Sequence, residues 1–192
     1  SRLKPVYPLV PSMIALCEDH LIMGSDFYVM DRVVGPIFRR DIPKEVSAQD
    51  ISVMADSLIN GLVQLHAVDA SILAELNKGP GYVQRQVEGW SKRYRNALTD
   101  DVPDGEKVMA WLNANKPDDV DSCVIHGDWR IDNVVFDLEH GRIAGVLDWE
   151  LATVGDPLMD LGSALAYWVD RGDEPAFASL RRQPSDLPGM PT

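Results

Sequence analysis

Three side chains in the last third of the sequence have types and spacing that suit one chemistry. In Val124-Ile125-His126-Gly127-Asp128-Trp129-Arg130-Ile131-Asp132-Asn133 a carboxylate is followed five residues later by an amide, just before an apolar run. Further on, Val146-Leu147-Asp148-Trp149-Glu150 places a second carboxylate at the end of another apolar run. One carboxylate can meet an acceptor hydroxyl, while an amide oxygen a loop-length away faces a metal on a nucleotide. That set suits phosphoryl transfer, with Asp128 at the hydroxyl and Asp148 on a magnesium ion bridging the phosphates.

These residues need rigid elements to hold them. Cys123-Val124-Ile125, Asn133-Val134-Val135-Phe136 and Ile143-Ala144-Gly145-Val146-Leu147 read as short strands, the last two forming a hairpin about Asp137-Leu138-Glu139-His140-Gly141. Upstream, Ser47-Ala48-Gln49-Asp50 opens a helix with a capping box in which Asp replaces the usual Glu. Ile51, Met54, Ala55, Leu58, Leu62 and Leu65 then recur at helical spacing to about His66. Further helices are expected over Val83 to Leu98, Gly105 to Asn113, and after Asp156-Pro157, where Asp caps and Pro takes the first position. Leu158, Leu161, Leu165 and Trp168 form a stripe on the last, expected to pack against the Ile51 to Leu65 stripe. Val10 to Cys17 and Asp26 to Met30 read as a β-hairpin turning at Met23-Gly24-Ser25-Asp26, and Gln183 to Thr192 reads as a frayed loop.

The composition limits the alternatives. The chain has 192 residues, 45% hydrophobic and 25% charged, which suits a globular protein with a real core. Its net charge of −12 repels phosphate backbones and argues against nucleic acid as the main partner. No apolar run is long enough for a membrane span, and no leader pattern is visible. Two cysteines, Cys17 and Cys123, are too few for a disulfide framework, so a reduced, cytoplasmic setting with both as buried small hydrophobes is expected. Oligomeric state is not written in the sequence. The chain opens at Ser1, in the middle of a pattern, as a piece of a longer protein would.

With these motifs in order, the sequence resembles the aminoglycoside phosphotransferase-like family, small-molecule relatives of the protein kinases. The likeness is carried by His126-Gly127-Asp128 with Asn133, by Asp148-Trp149-Glu150, and by Gly155-Asp156-Pro157-Leu158-Met159-Asp160-Leu161-Gly162. Phe27-Tyr28-Val29-Met30-Asp31-Arg32 looks like that family's last N-lobe strand and hinge, and Leu65-His66-Ala67-Val68-Asp69 like its usual helix end. The nearest subgroup is the kinase-like domain attached to some acyl-CoA dehydrogenases. The resemblance implies an α+β, protein-kinase-like fold: residues 1–34 a remnant of the N-terminal β-lobe, and 35–192 a mostly helical C-terminal lobe carrying the catalytic hairpin. It implies ATP and Mg²⁺, with Asp128 as catalytic base and Asn133 and Asp148 as metal ligands. The backbone of Met30, Asp31 and Val33 would hold the adenine edge. His126 would brace the metal-binding segment, Asp160 would accept hydrogen bonds from the catalytic loop, and Glu150 would touch metal-bound water or the acceptor. The acceptor would be a small-molecule hydroxyl, on an aminoglycoside-like sugar or on a hydroxylated acid or its acyl thioester.

Each assignment has a plainer reading. His-Gly-Asp occurs in ordinary turns, Glu150 can be a solvated strand end, and His66 a packed or capping residue. Trp129, Trp149 and Trp168 read as packing residues. A non-catalytic kinase-like binding or regulatory module is the rival function. It is motivated by the lack of a G-x-G-x-x-G loop and by Lys4 being the lone lysine before Asp31. For the same reason this stretch by itself is expected to be a poor catalyst.

Overall fold

In the computed structural model, which describes residues 2–192, three two-stranded antiparallel sheets are set among helices. Strand β1 (Met13–Cys17) pairs with β2 (Phe27–Met30). Between them Asp19 caps a single helical turn, α1 (His20–Met23), which Gly24 ends in the left-handed region. The sequence foresaw only a turn there. The ribbon is open to solvent, with Ile14, Leu16, Tyr28 and Val29 all exposed, and Cys17 is half-buried rather than buried.

The expected capping box is present: Ser47 and Asp50 exchange hydrogen bonds and start α2 (Ala48–His66). Its buried residues Ile51, Met54, Leu58 and Leu65 fall on one face. A 3-10 stretch over Ala70–Leu76, not foreseen, leads to α3 (Tyr82–Ala97), which packs on α4 (Glu106–Asn115). Strand β3 (Cys123–Ile125) is followed by the hairpin β4 (Val134–Asp137) and β5 (Arg142–Val146). Strand β6 (Thr153–Gly155) pairs with β3; three residues are too few to show a period, and the sequence reading missed it. Helix α5 (Pro157–Ala166) starts as expected, with Asp156 accepting from the Leu158 amide, and α6 (Pro175–Ala178) is one turn.

Helix α2 packs on β5 and β3, and it meets α5 where His66 faces Asp160. The leucines of α5 face outward: Leu158, Leu161 and Leu165 are 47, 44 and 57% exposed. The buried residue of α5 is Asp160 instead, and its polar partners decide which way the helix is turned. Two further expectations change. Of the first 34 residues, Leu3, Tyr7 and Val10 lie in the core shared with α2 and the hairpin, and Tyr7 donates its hydroxyl to the Gly61 carbonyl at 2.9 Å. The tail is coil but not frayed, since Gln183, Ser185 and Met190 are buried. No single helix among the described residues is long and apolar enough to cross a membrane.

Candidate active site

The loop from His126 to Asn133 leaves β3 at a glycine that has no substitute. Gly127 has φ +84°, and a Cβ there would lie 2.8 Å from both the Cβ and the carbonyl oxygen of Leu151. The turn is gripped from below by Asp160, whose two carboxylate oxygens accept the amides of His126 and Gly127, each at 2.8 Å. Asp160 is fully buried, and His66 Nε2 lies 3.1 Å from its Oδ2. The sequence reading offered His66 no partner, because the two residues are 94 positions apart.

His126 is itself fully buried. Its Nε2 faces the Leu147 carbonyl at 2.9 Å, and its Nδ1 accepts the Asp128 amide at 3.2 Å. These partners assign a neutral imidazole with the proton on Nε2. Burial pushes its pKa below 6.5, against the pull of the Leu147 hydrogen bond and of Asp160. Trp149 and Trp129 stand edge-on to the ring, with centroids at 4.8 and 5.8 Å, and Trp129 is buried as packing.

Asn133 Nδ2 donates to both the carboxylate and the carbonyl of Asp128, each at 2.9 Å, which leaves its Oδ1 free to meet a cation. Arg130 Nε is 3.4 Å from Asp128 Oδ1, and the guanidinium lies 4.7 Å over the Tyr167 ring. Arg130 was not among the sequence candidates, and its contact with Asp128 depends on a turn that sequence spacing does not specify. The Leu147 amide donates to the Asn133 carbonyl at 2.8 Å, so the backbone on either side of Leu147 ties Asn133 and the start of Asp148 to His126. Next to it, Asp148 takes φ 64°, the one non-glycine among the described residues with positive φ. Asp tolerates that region better than most residues, at a cost of about 1 kcal/mol. Its carboxylate is exposed and receives no hydrogen bond from the described residues.

Two oxygen donors, Asn133 Oδ1 and the Asp148 carboxylate, fit a hard cation completed by water and phosphate oxygens. No cluster of three or more His, Cys, Asp or Glu exists among the described residues to hold a metal by protein alone. Glu150 is exposed and lines, with Gly127, a cavity of about 740 Å³ on the α3 side of the loop. On the hinge, Met30 pairs with Met13 and the Asp31 amide donates to the Ser12 carbonyl at 2.8 Å, so that N–H is not open to a base. Val33 packs over the backbone of Gly145 in β5.

The family model described as the phosphotransferase enzyme family matches residues 2–191. Acyl-CoA dehydrogenase family member 11 of Pongo abelii is 38% identical over 186 residues, which is 94% of this chain but 24% of that protein. The chain thus spans about a quarter of the length of this curated relative. A solved structure from Ralstonia eutropha, assigned as an aminoglycoside phosphotransferase, superposes with a TM-score of 0.77 at 30% identity, covering 100% of this chain and 59% of that one. A thermostable mutant of aminoglycoside phosphotransferase APH(4)-Ia, in ternary complex with ADP and hygromycin B, superposes at 0.62 with 16% identity over 93% of this chain and 62% of its own. The fold is α+β and protein-kinase-like, and the chain belongs to the phosphotransferase enzyme family.

Proposed function

We propose that this chain carries the catalytic loop of an ATP- and Mg²⁺-dependent phosphotransferase that moves the γ-phosphoryl group to a hydroxyl of a small molecule. The observation that supports it best is the shared use of Asn133. Its amide nitrogen steadies Asp128, its amide oxygen is left for a cation, and its backbone carbonyl holds the Leu147 amide just before Asp148. Asp128 then orients the acceptor hydroxyl and takes its proton, while Arg130 beside it balances the carboxylate charge. A magnesium ion held by Asn133 and Asp148 would neutralise charge developing on the transferred group. The ADP in the complex of the APH(4)-Ia structure is in keeping with a nucleotide donor. The acceptor is an aminoglycoside-like sugar or a hydroxylated acid or its thioester. The enzyme works in the cytoplasm, where Cys17 and Cys123, both free thiols, stay reduced.

The test is Asp128→Asn in the full-length protein. The amide is isosteric and still accepts from Asn133, so the melting temperature should hold while turnover falls by about 10²–10⁴. A variant within a few-fold of wild type would overturn the assignment.

A further inference from the structure

The wall of the cavity that faces away from the metal side carries a charge opposite to that of the molecule. The cavity of about 740 Å³ reaches the catalytic loop at Gly127, the residue before Asp128, and has Glu150 in its wall; Asp128, Asn133 and Asp148 themselves do not line it. At its other end it adjoins a hollow of about 170 Å³ lined by Lys78, Arg85 and Arg93 and by no carboxylate. Lys78 and Arg93 border both spaces, as does Tyr82. In a chain of net charge −12, three cations on one small concavity stand apart. None of the three forms an ion pair among the described residues, whereas Arg2, Arg95, Arg130, Arg142 and Arg181 all do.

Two of these cations are held in place rather than loose. Arg85 donates to the carbonyls of Pro80 and Gly79 at 2.5 and 2.8 Å, which fixes its fork and leaves its other N–H groups uncommitted. The Arg93 guanidinium stacks on the Trp90 ring at 4.6 Å, a contact that orients it without using its donors. Asp119, the acid whose field reaches Arg85, is occupied by the amides of Gly81, Tyr82 and Val83. A pre-set pair of guanidinium forks beside an ammonium matches a compact oxyanion.

We infer that the acceptor carries an anionic group, a phosphate or a carboxylate, which Lys78, Arg85 and Arg93 bind while its hydroxyl reaches Asp128. The inference rests on the transfer reading above and deepens it. A polycationic amino sugar would meet three like charges at this end of the cavity, so such a sugar is the disfavoured acceptor.

The experiment is a calorimetric titration of the full-length protein, with ADP and magnesium present to fill the nucleotide side. Three matched probes are used: a hydroxyalkyl phosphate, the hydroxyalkyl carboxylate of equal length, and the uncharged diol. Both anions, or one of them, should bind where the diol does not, and the stronger arm identifies the oxyanion. Arg85→Gln and Arg93→Gln should each weaken anion binding about tenfold and flatten its salt dependence, with Arg93→Lys retaining part of the affinity. Diol binding equal to that of the anions, or anion binding indifferent to both substitutions in variants of unchanged melting temperature, overturns the inference. Transfer from ATP is read separately with the same probes. Transfer to the diol but to neither anion sinks the anionic acceptor and leaves the phosphotransferase standing. Anion binding at the arginines with no transfer to any hydroxyl leaves the anion site and sinks the transfer reading.

Discussion

Leu147 lends the candidate site no side-chain chemistry, yet its backbone, amide and carbonyl both, is where the site is joined. His126 holds its carbonyl and Asn133 its amide, and Asp148 follows in a left-handed conformation that few residues accept. Asp148→Asn tests the ion-facing role without disturbing that backbone, because Asn also tolerates positive φ. The magnesium concentration for half-maximal turnover should rise about tenfold or more at fixed ATP, since an amide brings no formal charge. An unchanged magnesium dependence removes Asp148 from the ligand set. His126 makes a second prediction. Its folded-state pKa is lowered, chiefly by burial, so its contribution to stability is complete above pH 6.5. That contribution is lost as the pH falls from there through the lowered value, because the unfolded chain takes up the proton first. His126→Gln keeps a donor for Leu147 but cannot titrate. Melting temperatures recorded from pH 7.5 to 5 should drop less steeply for the variant, and equal slopes would refute the assignment.

At the scale of elements, α5 shows what pattern reading captures and what it does not. Asp156-Pro157 announced where the helix begins, but the leucine stripe suggested the wrong buried face. Asp160 lies on the other side of the helix, and its bonds to two loop amides and to His66 outweigh the stripe. Leaving a buried carboxylate without partners costs several kcal/mol, more than exposing part of three leucines. The loop, hairpin and α2 were legible because their signals are local: a capping box four residues long, short apolar runs on either side of a turn, a glycine in a turn. Contacts across long separations leave no local signal: those expected of Asp160 and His126 came from the family resemblance alone, and the rest were not legible. Asp119 illustrates this, accepting the amides of Gly81, Tyr82 and Val83 at 2.6, 2.8 and 2.9 Å from 36 to 38 residues away. Those bonds hold its carboxyl below the usual range and replace the side-chain cap that Gly81 cannot supply. Asp119→Ala should lower stability by about 1 kcal/mol in denaturant melts, with Asp119→Asn recovering part of it. Asp119→Asn as stable as wild type would mean that the charge is irrelevant to the cap, and Asp119→Asn no better than Asp119→Ala that a neutral acceptor cannot replace it.

For the molecule as a whole, solidity is unevenly distributed. The β1–β2 ribbon has two strands, exposed apolar side chains and no residue in the core, while α2 and the β4–β5 hairpin carry that core. Amide hydrogen exchange should therefore open the ribbon orders of magnitude faster than the buried turns of α2. Uniform protection across both would contradict this ranking. The buried tail has a different consequence, one of timing. The Ile131 amide, inside the catalytic loop, donates to Gln183 Oε1 at 3.2 Å, and Arg181 reaches back 141 residues to the Arg40 carbonyl at 2.6 Å. Contacts of such separation close large loops and are made slowly. On a ribosome the loop that bears Asp128 would emerge some fifty residues before the glutamine that satisfies it, at roughly 5–20 residues per second. During those seconds the helices and hairpin can form, but the loop's last donor has only water, and the site acquires its final shape when synthesis has passed it by.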